Sequence, residues 1–408
     1  MVSMHSFAAT GDDTAAVLSD LGLKIAANRA NANFVFTFFG CMHDGARILD
    51  FLKSRFPAAA ILGGTSHSGF MSDGHLWGAK SIGIMTIDDA DGQYGVSVAP
   101  ITYDAAATAE ATLNAALKQA SCPGELPALV FVYQAPGREE ETIDGLRRVI
   151  GNRCPVVGGS AADEAQEGLW QQIGPEGAFT NGIAVAALFP SGGIGTIFQG
   201  GYEPAGQSGI VTRVGYNDSG RSGVVTKSRG REIVEIDGEP AARVYNEWSG
   251  DALGNKTETG GNIFEEACMH PLGVQVGDIK GVPNFRLIHP KSVMSDGTVN
   301  TFAAVEQGSR IHFMRGNKQR LADRAARVAA QAAAQLPGGS ESLVGGLMVY
   351  CTGCRMAVGE KMTDVARDVA DSFRQRPLIA CFTYGELGNI SEQNVHGNMM
   401  ISAVAFGT

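Results

Sequence analysis

The side chains that could do chemistry in this sequence lie in five short loops, each following a run of residues typical of a buried strand. The loops are residues 40–43, 63–67, 158–163, 351–355 and 383–386. Ligands of open α/β sheets bind beyond the carboxyl ends of the strands, which is where these loops fall. Their small side chains and backbone N–H groups suit a small polar ligand, and they suit tight packing without a ligand equally well. The candidate ligand-binding residues are Gly63, Gly64, Ser66, His67, Gly159, Ser160, Cys351, Cys354, Arg355, Tyr384 and Glu386.

Cys351 and Cys354 form a single Cys-x-x-Cys pattern between a predicted strand and a predicted helix. A helix N-terminus lowers the pKa of a thiol, so the two could work as a redox pair. A structural zinc site would need two further ligands, and the sequence has no second pattern of this kind. The alternative is two small buried residues at a strand-to-helix turn. Arg355, beside the pair, could bind an anion or pair with Glu386.

The eight histidines are scattered singly, and none forms a His-x-His or His-Glu-x-x-His pattern. One neutral imidazole can hold haem iron while apolar residues hold the macrocycle, and such a site leaves no sequence motif. His270 and His396 have apolar neighbours and are the candidates for the axial ligand of a haem cofactor. A structural histidine is the alternative for each of them.

Motifs of the common enzyme classes are absent. The sequence has no Walker A loop and no Gly-x-Gly-x-x-Gly at a strand–helix junction, so a phosphate-cradling nucleotide site lacks support. Gly64-Thr65-Ser66-His67-Ser68 lacks the second glycine of a nucleophile elbow. We therefore predict no catalytic residues and expect a protein that is not an enzyme.

Composition narrows the class of protein further. The 408 residues carry 32 Lys and Arg against 42 Asp and Glu, a net charge of −10 that disfavours nucleic acid as a partner. Apolar residues make up 44% and charged residues 18%, enough for a sizeable core and too little charge for a disordered chain. No apolar run approaches the ~18 residues that span a membrane. With seven cysteines, an odd number, and no visible signal peptide, we expect a cytoplasmic protein with reduced thiols.

One order of elements recurs along the chain. A predicted strand, helix and strand end at the Gly63-Gly64 turn, and the same order ends about 95 residues later at Gly158-Gly159. A looser third copy begins near residue 347. Such units imply right-handed crossovers and partly parallel sheets. The predicted fold is α/β, with two domains, repeated strand–helix–strand units and mixed sheets, and the domains are residues 1–220 and 221–408, divided near Gly220.

This arrangement resembles the FIST family, over roughly residues 31–406. The likeness rests on short motifs in both halves, at 63–69, 157–163, 181–186, 236–241, 270–273, 384–387 and 396–398. Two features depart from the family pattern. Cys351, Gly353 and Arg355 are separated by intervening residues, and the usual His-Asn pair reads His396-Gly397.

The resemblance implies a FIST N-like domain followed by a FIST C-like domain, and a sensory role in signal transduction. Some stand-alone bacterial members bind haem, sense nitric oxide and act on a partner histidine kinase, with effects on cyclic-di-GMP. Our expectation is therefore a cytoplasmic small-ligand sensor, most specifically a haem-based nitric oxide sensor with a histidine kinase partner and a homo-oligomeric state. Two alternatives stay open: a binding module for an amino acid or other small polar metabolite, and a thiol-redox protein using Cys351 and Cys354.

Overall fold

The computed structural model describes residues 2–205, 221–279 and 282–408. The boundary predicted near Gly220 lies outside the described residues. Within the described part of the chain, no helix is both long and apolar enough to cross a bilayer.

The first structural unit alternates strands with two helices and ends with a hairpin and a return strand. Its elements are β1 (Ser3–Thr10), α1 (Thr14–Asn28), β2 (Phe34–Phe39), α2 (Gly45–Arg55), β3 (Ala60–Thr65), the hairpin β4 (Phe70–Ser72) and β5 (His75–Trp77), and β6 (Ser81–Asp88). Both helices begin at an aspartate whose carboxylate accepts backbone N–H groups, Asp13 for α1 and Asp44 for α2. All six residues of β2 are buried, because both faces of the sheet are covered.

The second unit repeats the first element for element. It consists of β7 (Gln93–Pro100), α3 (Ala105–Gln119), β8 (Leu129–Gln134), α4 (Glu139–Ile150), β9 (Val156–Ser160), the hairpin β10 (Gln172–Gly174) and β11 (Gly177–Phe179), and β12 (Gly182–Phe189). Gly63 and Gly158 lie in β3 and β9, and each strand runs parallel to the preceding strand of its own unit. The predicted α/β class, with repeated units and mixed sheets, is confirmed.

A β-rich insertion interrupts the third unit after its first strand, β13 (Ile194–Gly200). One ten-stranded sheet of antiparallel pairs spans the insertion, and its core includes Ile233, Tyr245 and Phe313. The inserted elements are β14 (Glu203–Pro204), β15 (Ser222–Arg229), β16 (Glu232–Ile236), β17 (Glu239–Pro240), α5 (Ala241–Ser249), α6 (Lys256–Thr259), β18 (Gly261–Asn262), α7 (Phe264–Ala267), β19 (Leu272–Ile279), β20 (Val282–Ile288), β21 (Pro290–Val293), β22 (Val299–Thr301) and β23 (Arg310–Arg315).

The third unit resumes after the insertion in the same order as the first two. Its remaining elements are α8 (Lys318–Ala334), β24 (Leu343–Cys351), the helices α9 (Thr352–Val358) and α10 (Met362–Ser372), β25 (Leu378–Thr383), the hairpin β26 (Glu386–Ile390) and β27 (Gln393–Gly397), and β28 (Met400–Gly407). The looser third copy predicted from the sequence corresponds to this unit.

The three units exchange their hairpins in a closed cycle. The sheet of the first unit, β1-β6-β2-β3, is extended by β10-β11 of the second. The sheet of the second unit, β7-β12-β8-β9, is extended by the hairpin β26-β27 of the third. The sheet of the third unit, β13-β28-β24-β25, is extended by the hairpin β4-β5 of the first. We call these three sheets and their helices the ring. Sheets that lie on both sides of the domain boundary predicted near Gly220 therefore share strands.

Each sheet of the ring turns one face to a common core and the other to its own helices. Phe36 of the first sheet and Phe131 of the second meet edge to face with ring centroids 5.0 Å apart, and Leu347 of the third belongs to the same cluster. The carboxyl ends of β3, β9 and β25 converge beside this core. Their loops are joined by backbone hydrogen bonds, such as the one from the Tyr384 N–H to the Ser160 carbonyl at 3.1 Å.

Candidate functional site

The predicted glycines and Ser66 lie at the junction of the three units, where their visible role is close packing. A Cβ on Gly64 would lie 2.3 Å from the Gln171 carbonyl oxygen, and a Cβ on Gly159 would lie 2.5 Å from that of Gly385. A side chain at either position would push away the hairpin borrowed from the next unit. Ser66 Oγ donates to the Gly69 carbonyl at 2.5 Å and accepts the Phe382 N–H at 2.7 Å, so its hydrogen-bonding capacity is used.

Gly63 has the same packing role within its own unit. A Cβ there would lie 2.0 Å from the Thr37 carbonyl oxygen, which belongs to the neighbouring strand β2. The Gly-Gly turns read from the sequence as ligand contacts therefore bring strands together.

His67 and Tyr384 meet at a loop of the second unit. His67 Nδ1 lies 2.8 Å from the Asp163 carbonyl oxygen, and the Tyr384 hydroxyl donates to the same oxygen at 2.6 Å and to Asp163 Oδ1 at 2.9 Å. Burial works to raise the pKa of Asp163, but the Leu169 N–H, the Tyr384 hydroxyl and other backbone donors outweigh it and hold that pKa below its usual value.

Arg355 does not pair with Glu386 among the described residues. Its guanidinium lies 4.9 Å from the centre of the Phe382 ring and donates to the Ser68 carbonyl at 3.3 Å. The carboxylate that acts on it is that of Glu164, which also accepts the Ser68 N–H at 2.9 Å. Of the two interpretations left open by the sequence, the pairing with Glu386 is thus not realised in this conformation.

A cleft of about 230 Å³ lies between the ring and the insertion. The ring and the insertion both contribute to its walls, which are formed by Pro136, Gly137, Glu139, Gln166, Trp170, Arg231, Lys291, Phe302 and Tyr384. Two cations, a buried carboxylate and three aromatic rings therefore converge on one partly open space. This combination of apolar walls with a few charged groups is typical of small-ligand sites. We call this space the cleft.

Glu139 supplies the buried charge of the cleft from the first turn of α4. Its carboxylate accepts the Gly137 N–H at 3.0 Å and the Ser160 hydroxyl, and it forms an ion pair with Arg231. Burial opposes ionisation, but the charges of His396 and Arg231 outweigh it and lower the pKa of Glu139. Ser160, one of the predicted ligand-binding residues, is thus connected to the cleft through its hydrogen bond to Glu139.

Glu140 and His396 continue this charged wall behind the cleft. His396 Nδ1 lies 3.1 Å from Glu140 Oε1, which also accepts the Ala304 N–H at 2.7 Å. Ligand atoms of Glu139, Glu140 and His396 all lie within 4.8 Å of one another, close enough to share a metal ion. Arg231 already forms ion pairs with both carboxylates, so a metal would compete with its guanidinium.

Sequence reasoning missed Glu139, Glu140 and Arg231. The acidic run at the start of α4 is common on exposed helix N-termini and suggested no site. Arg231 lies in a turn of the insertion, with no motif around it. Only the packing of the insertion against the ring brings it to Glu139.

Neither of the two haem candidates, His270 and His396, is among the described residues that line the cleft. His396 Nε2 is buried without a hydrogen-bond partner among the described residues, and a Cβ on Gly385 would lie 2.5 Å from it. The nitrogen that would bind iron thus points at backbone. His270 lies in the insertion, where its ring stacks on Phe313 with centroids 5.4 Å apart, and it does not line the cleft. The cleft therefore offers no histidine ligand to haem iron in this conformation.

The fold and the cleft together define a ligand-binding α/β protein of three interlocked units with a β-rich insertion. The FIST N domain matches residues 33–217, and the FIST C domain matches residues 241–389. The chain therefore belongs to the FIST family, whose domains are sensors of signal transduction that bind small ligands.

Similarity to other known proteins is remote. Among proteins of curated function, none matches this chain. The cyanuric acid hydrolase from A. caulinodans is similar in structure over 100% of both chains, with 8% identity and a TM-score of 0.35. The PurLQS structure from Thermotoga maritima is similar over 84% of this chain and 74% of that chain, with 8% identity and a TM-score of 0.18.

Proposed function

We propose that this FIST protein is a sensor whose cleft binds an amino acid or another small polar metabolite that carries a carboxylate. One observation supports the proposal most strongly: Arg231, Lys291 and the buried Glu139 converge with three aromatic rings on about 230 Å³. A ligand with one carboxylate and a compact body matches both the charge and the size of this space.

Lys291 is the cation best placed to receive a ligand carboxylate. Its Nζ lies 5.6 Å from the centre of the Phe302 ring, and among the described residues it forms no ion pair. Arg231, in contrast, is held by Glu139 and Glu140. The rings of Trp170, Phe302 and Tyr384 would then cover the body of the ligand.

The position of the cleft suggests how binding could become a signal. Its walls come from both the ring and the insertion, so a ligand that contacts both would favour one relative arrangement of the two. A separate signalling protein would have to respond to that arrangement. The family resemblance makes a histidine kinase the partner to test first. A cytoplasmic location and a homo-oligomeric state belong to the same proposal.

Haem-based sensing of nitric oxide stays a prediction with less support from the geometry, because neither His270 nor His396 lines the cleft. The absorbance spectrum of the purified protein, recorded with added haemin, tests it directly. A saturable Soret band that is lost in His396→Ala or His270→Ala would favour haem and count against the metabolite proposal.

The metabolite proposal is tested by a thermal-shift screen of dialysed protein with amino acids and small carboxylates, followed by calorimetric titration. A ligand selective for the folded state raises the melting temperature.

Lys291→Ala should weaken the binding of the hit about tenfold, since a hydrogen bond to a charged group contributes about 1.5 kcal/mol. Lys227→Ala, an exposed lysine of the same insertion, is the matched control and should bind normally. Equal affinity in both variants would contradict the proposed site.

A further inference from the structure

Cys351 and Cys354 form a buried dithiol at the end of β24. They are 3% and 2% exposed. The Met399 N–H donates to Cys351 Sγ at 3.2 Å, and Met399 Sδ lies 3.9 Å from the same sulfur. The N–H donor stabilises a thiolate at Cys351. Burial alone would raise its pKa, but the bonds from the Cys354 side chain and nearby backbone N–H groups lower it.

A buried carboxyl group lies near the same sulfur. Glu386 is fully buried and accepts the Thr383 hydroxyl at 2.9 Å and the Met400 N–H at 3.2 Å, and Met400 follows Met399, whose N–H binds Cys351. Burial and the neighbouring Cys351 sulfur raise the pKa of Glu386 well above its usual value, which favours the protonated carboxyl. A proton donor therefore stands beside the sulfur that is best stabilised as a thiolate.

The other described cysteines lack this arrangement. Cys154, for example, is a buried thiol whose sulfur donates to the Pro155 carbonyl at 3.4 Å, and burial raises its pKa to about 12. Such a thiol is protonated and inert under ordinary conditions. Cys154 therefore serves as an internal control, because its thiol is buried but its pKa is not lowered.

We propose that Cys351 and Cys354 are a redox pair that is oxidised to a disulfide by hydroperoxides, with Cys351 as the sulfur that reacts first. The near-complete burial of both sulfurs selects a small oxidant, because a bulky disulfide could not reach them. This modification site is independent of ligand binding in the cleft.

The chemistry balances with the groups present. The Cys351 thiolate attacks one oxygen of hydrogen peroxide, so an S–O bond forms, the O–O bond breaks, and the leaving hydroxide takes the proton of Glu386 and departs as water. The Cys354 thiol then attacks the Cys351 sulfenic acid. The S–S bond forms, the S–O bond breaks, and the second hydroxide leaves as water with the Cys354 proton. Two thiols and one peroxide thus yield one disulfide and two waters, and a solvent proton restores Glu386.

The test is peroxide treatment of the folded full chain, followed by denaturation, alkylation and mass spectrometry. Both cysteines lie in one tryptic peptide, residues 328–355, so an internal disulfide removes the mass of two hydrogens and blocks both alkylation sites. We expect this product at stoichiometric peroxide, with the other five of the seven cysteines still alkylated. Reduction with dithiothreitol should restore the original peptide. The rate should fall as the pH is lowered, because the thiolate of Cys351 is the reacting species.

Two variants separate the roles of the sulfurs. Cys354→Ser should accumulate a sulfenic acid that dimedone labels at Cys351, whereas Cys351→Ser should leave Cys354 unlabelled and alkylatable. Cys154→Ser should behave as wild type. Oxidation of residues 351 and 354 no faster than that of Cys154 would overturn the proposal, and so would dimedone labelling of Cys354 in Cys351→Ser. Circular dichroism spectra that match the wild type ensure that each variant is tested in its folded form.

Discussion

Arg231, in the turn between β15 and β16 of the insertion, forms an ion pair with Glu139 in the first turn of α4. The side chains are 26% and 3% exposed, so the charge of Glu139 is almost completely withdrawn from water. A buried charge needs a partner, and here the partner comes from the other side of the cleft. This contact therefore links the insertion to the ring at the proposed ligand site.

Replacement of Arg231 should destabilise the protein strongly. Arg231→Ala leaves a buried carboxylate uncompensated, and the loss of one partner of a buried pair costs about 3 kcal/mol or more. Urea denaturation at neutral pH measures this change in the free energy of unfolding. Arg320→Ala is the matched control, since Arg320 pairs with Glu203 on the surface, where both side chains are about 60% exposed. A surface pair contributes less than about 1 kcal/mol, so similar losses in the two variants would show that the Arg231 pair is not special.

Glu140 should make the protein sensitive to acid. The hydrogen bond and charge of His396, together with Arg231, outweigh burial and lower the folded-state pKa of Glu140 below its ordinary value of 4.5. Its contribution to stability is present above the unfolded pKa and is lost as the pH falls toward the folded pKa. Glu140→Gln should therefore be less stable than wild type at pH 7, and the difference should narrow as denaturation is repeated toward pH 3.

Glu110→Gln provides the comparison for that experiment, because Glu110 pairs with Arg148 on the surface. We expect little difference between this variant and wild type at any pH. A Glu140→Gln difference that stays constant from pH 7 to pH 3 would contradict the assignment.

Glu386 should show the opposite pH dependence. Burial and the Cys351 sulfur raise its folded-state pKa above the ordinary value of 4.5. Between these two pKa values the unfolded chain ionises while the folded chain stays protonated, so the contribution of Glu386 to stability falls as the pH rises. Glu386→Gln keeps the shape of the neutral carboxyl and removes the titration. The variant should gain stability relative to wild type as the pH rises above 4.5, and a relative loss in that direction would disprove the raised pKa.

The Tyr384 hydroxyl should stabilise the junction of the three units. Tyr384→Phe removes the bonds to the carbonyl and carboxylate oxygens of Asp163 while the ring stays beside Trp170. The free energy of unfolding should fall by roughly 1.5 kcal/mol. Tyr103→Phe is a suitable control, because the Tyr103 side chain is 96% exposed and its loss should change nothing measurable. Equal stability of the Tyr384 and Tyr103 variants would mean that the hydroxyl contributes nothing net.

The sequence by itself determined the repeated units and the family. Runs such as 34–39 are apolar at nearly every position, which predicts strands covered on both faces, and the strands β2, β8 and β24 follow those runs. Asp44, followed by the apolar spacing of Ile48, Leu49 and Leu52, predicts the helix α2 where it is found. Local patterns suffice for these elements because each one depends on neighbours within a single turn or strand.

The tertiary structure alone decided how the units interlock and where the charges of the cleft come together. The hairpin β26-β27 completes the sheet of a unit more than 200 residues away along the chain, and no local pattern encodes that exchange. Arg231 meets Glu139 for the same reason: the pairing depends on how the insertion packs against the ring, and neither residue has a recognisable motif. The charge of Glu139 can remain buried only because the folded chain brings a cation to it, and such a contact exists only after the distant parts of the chain have come together.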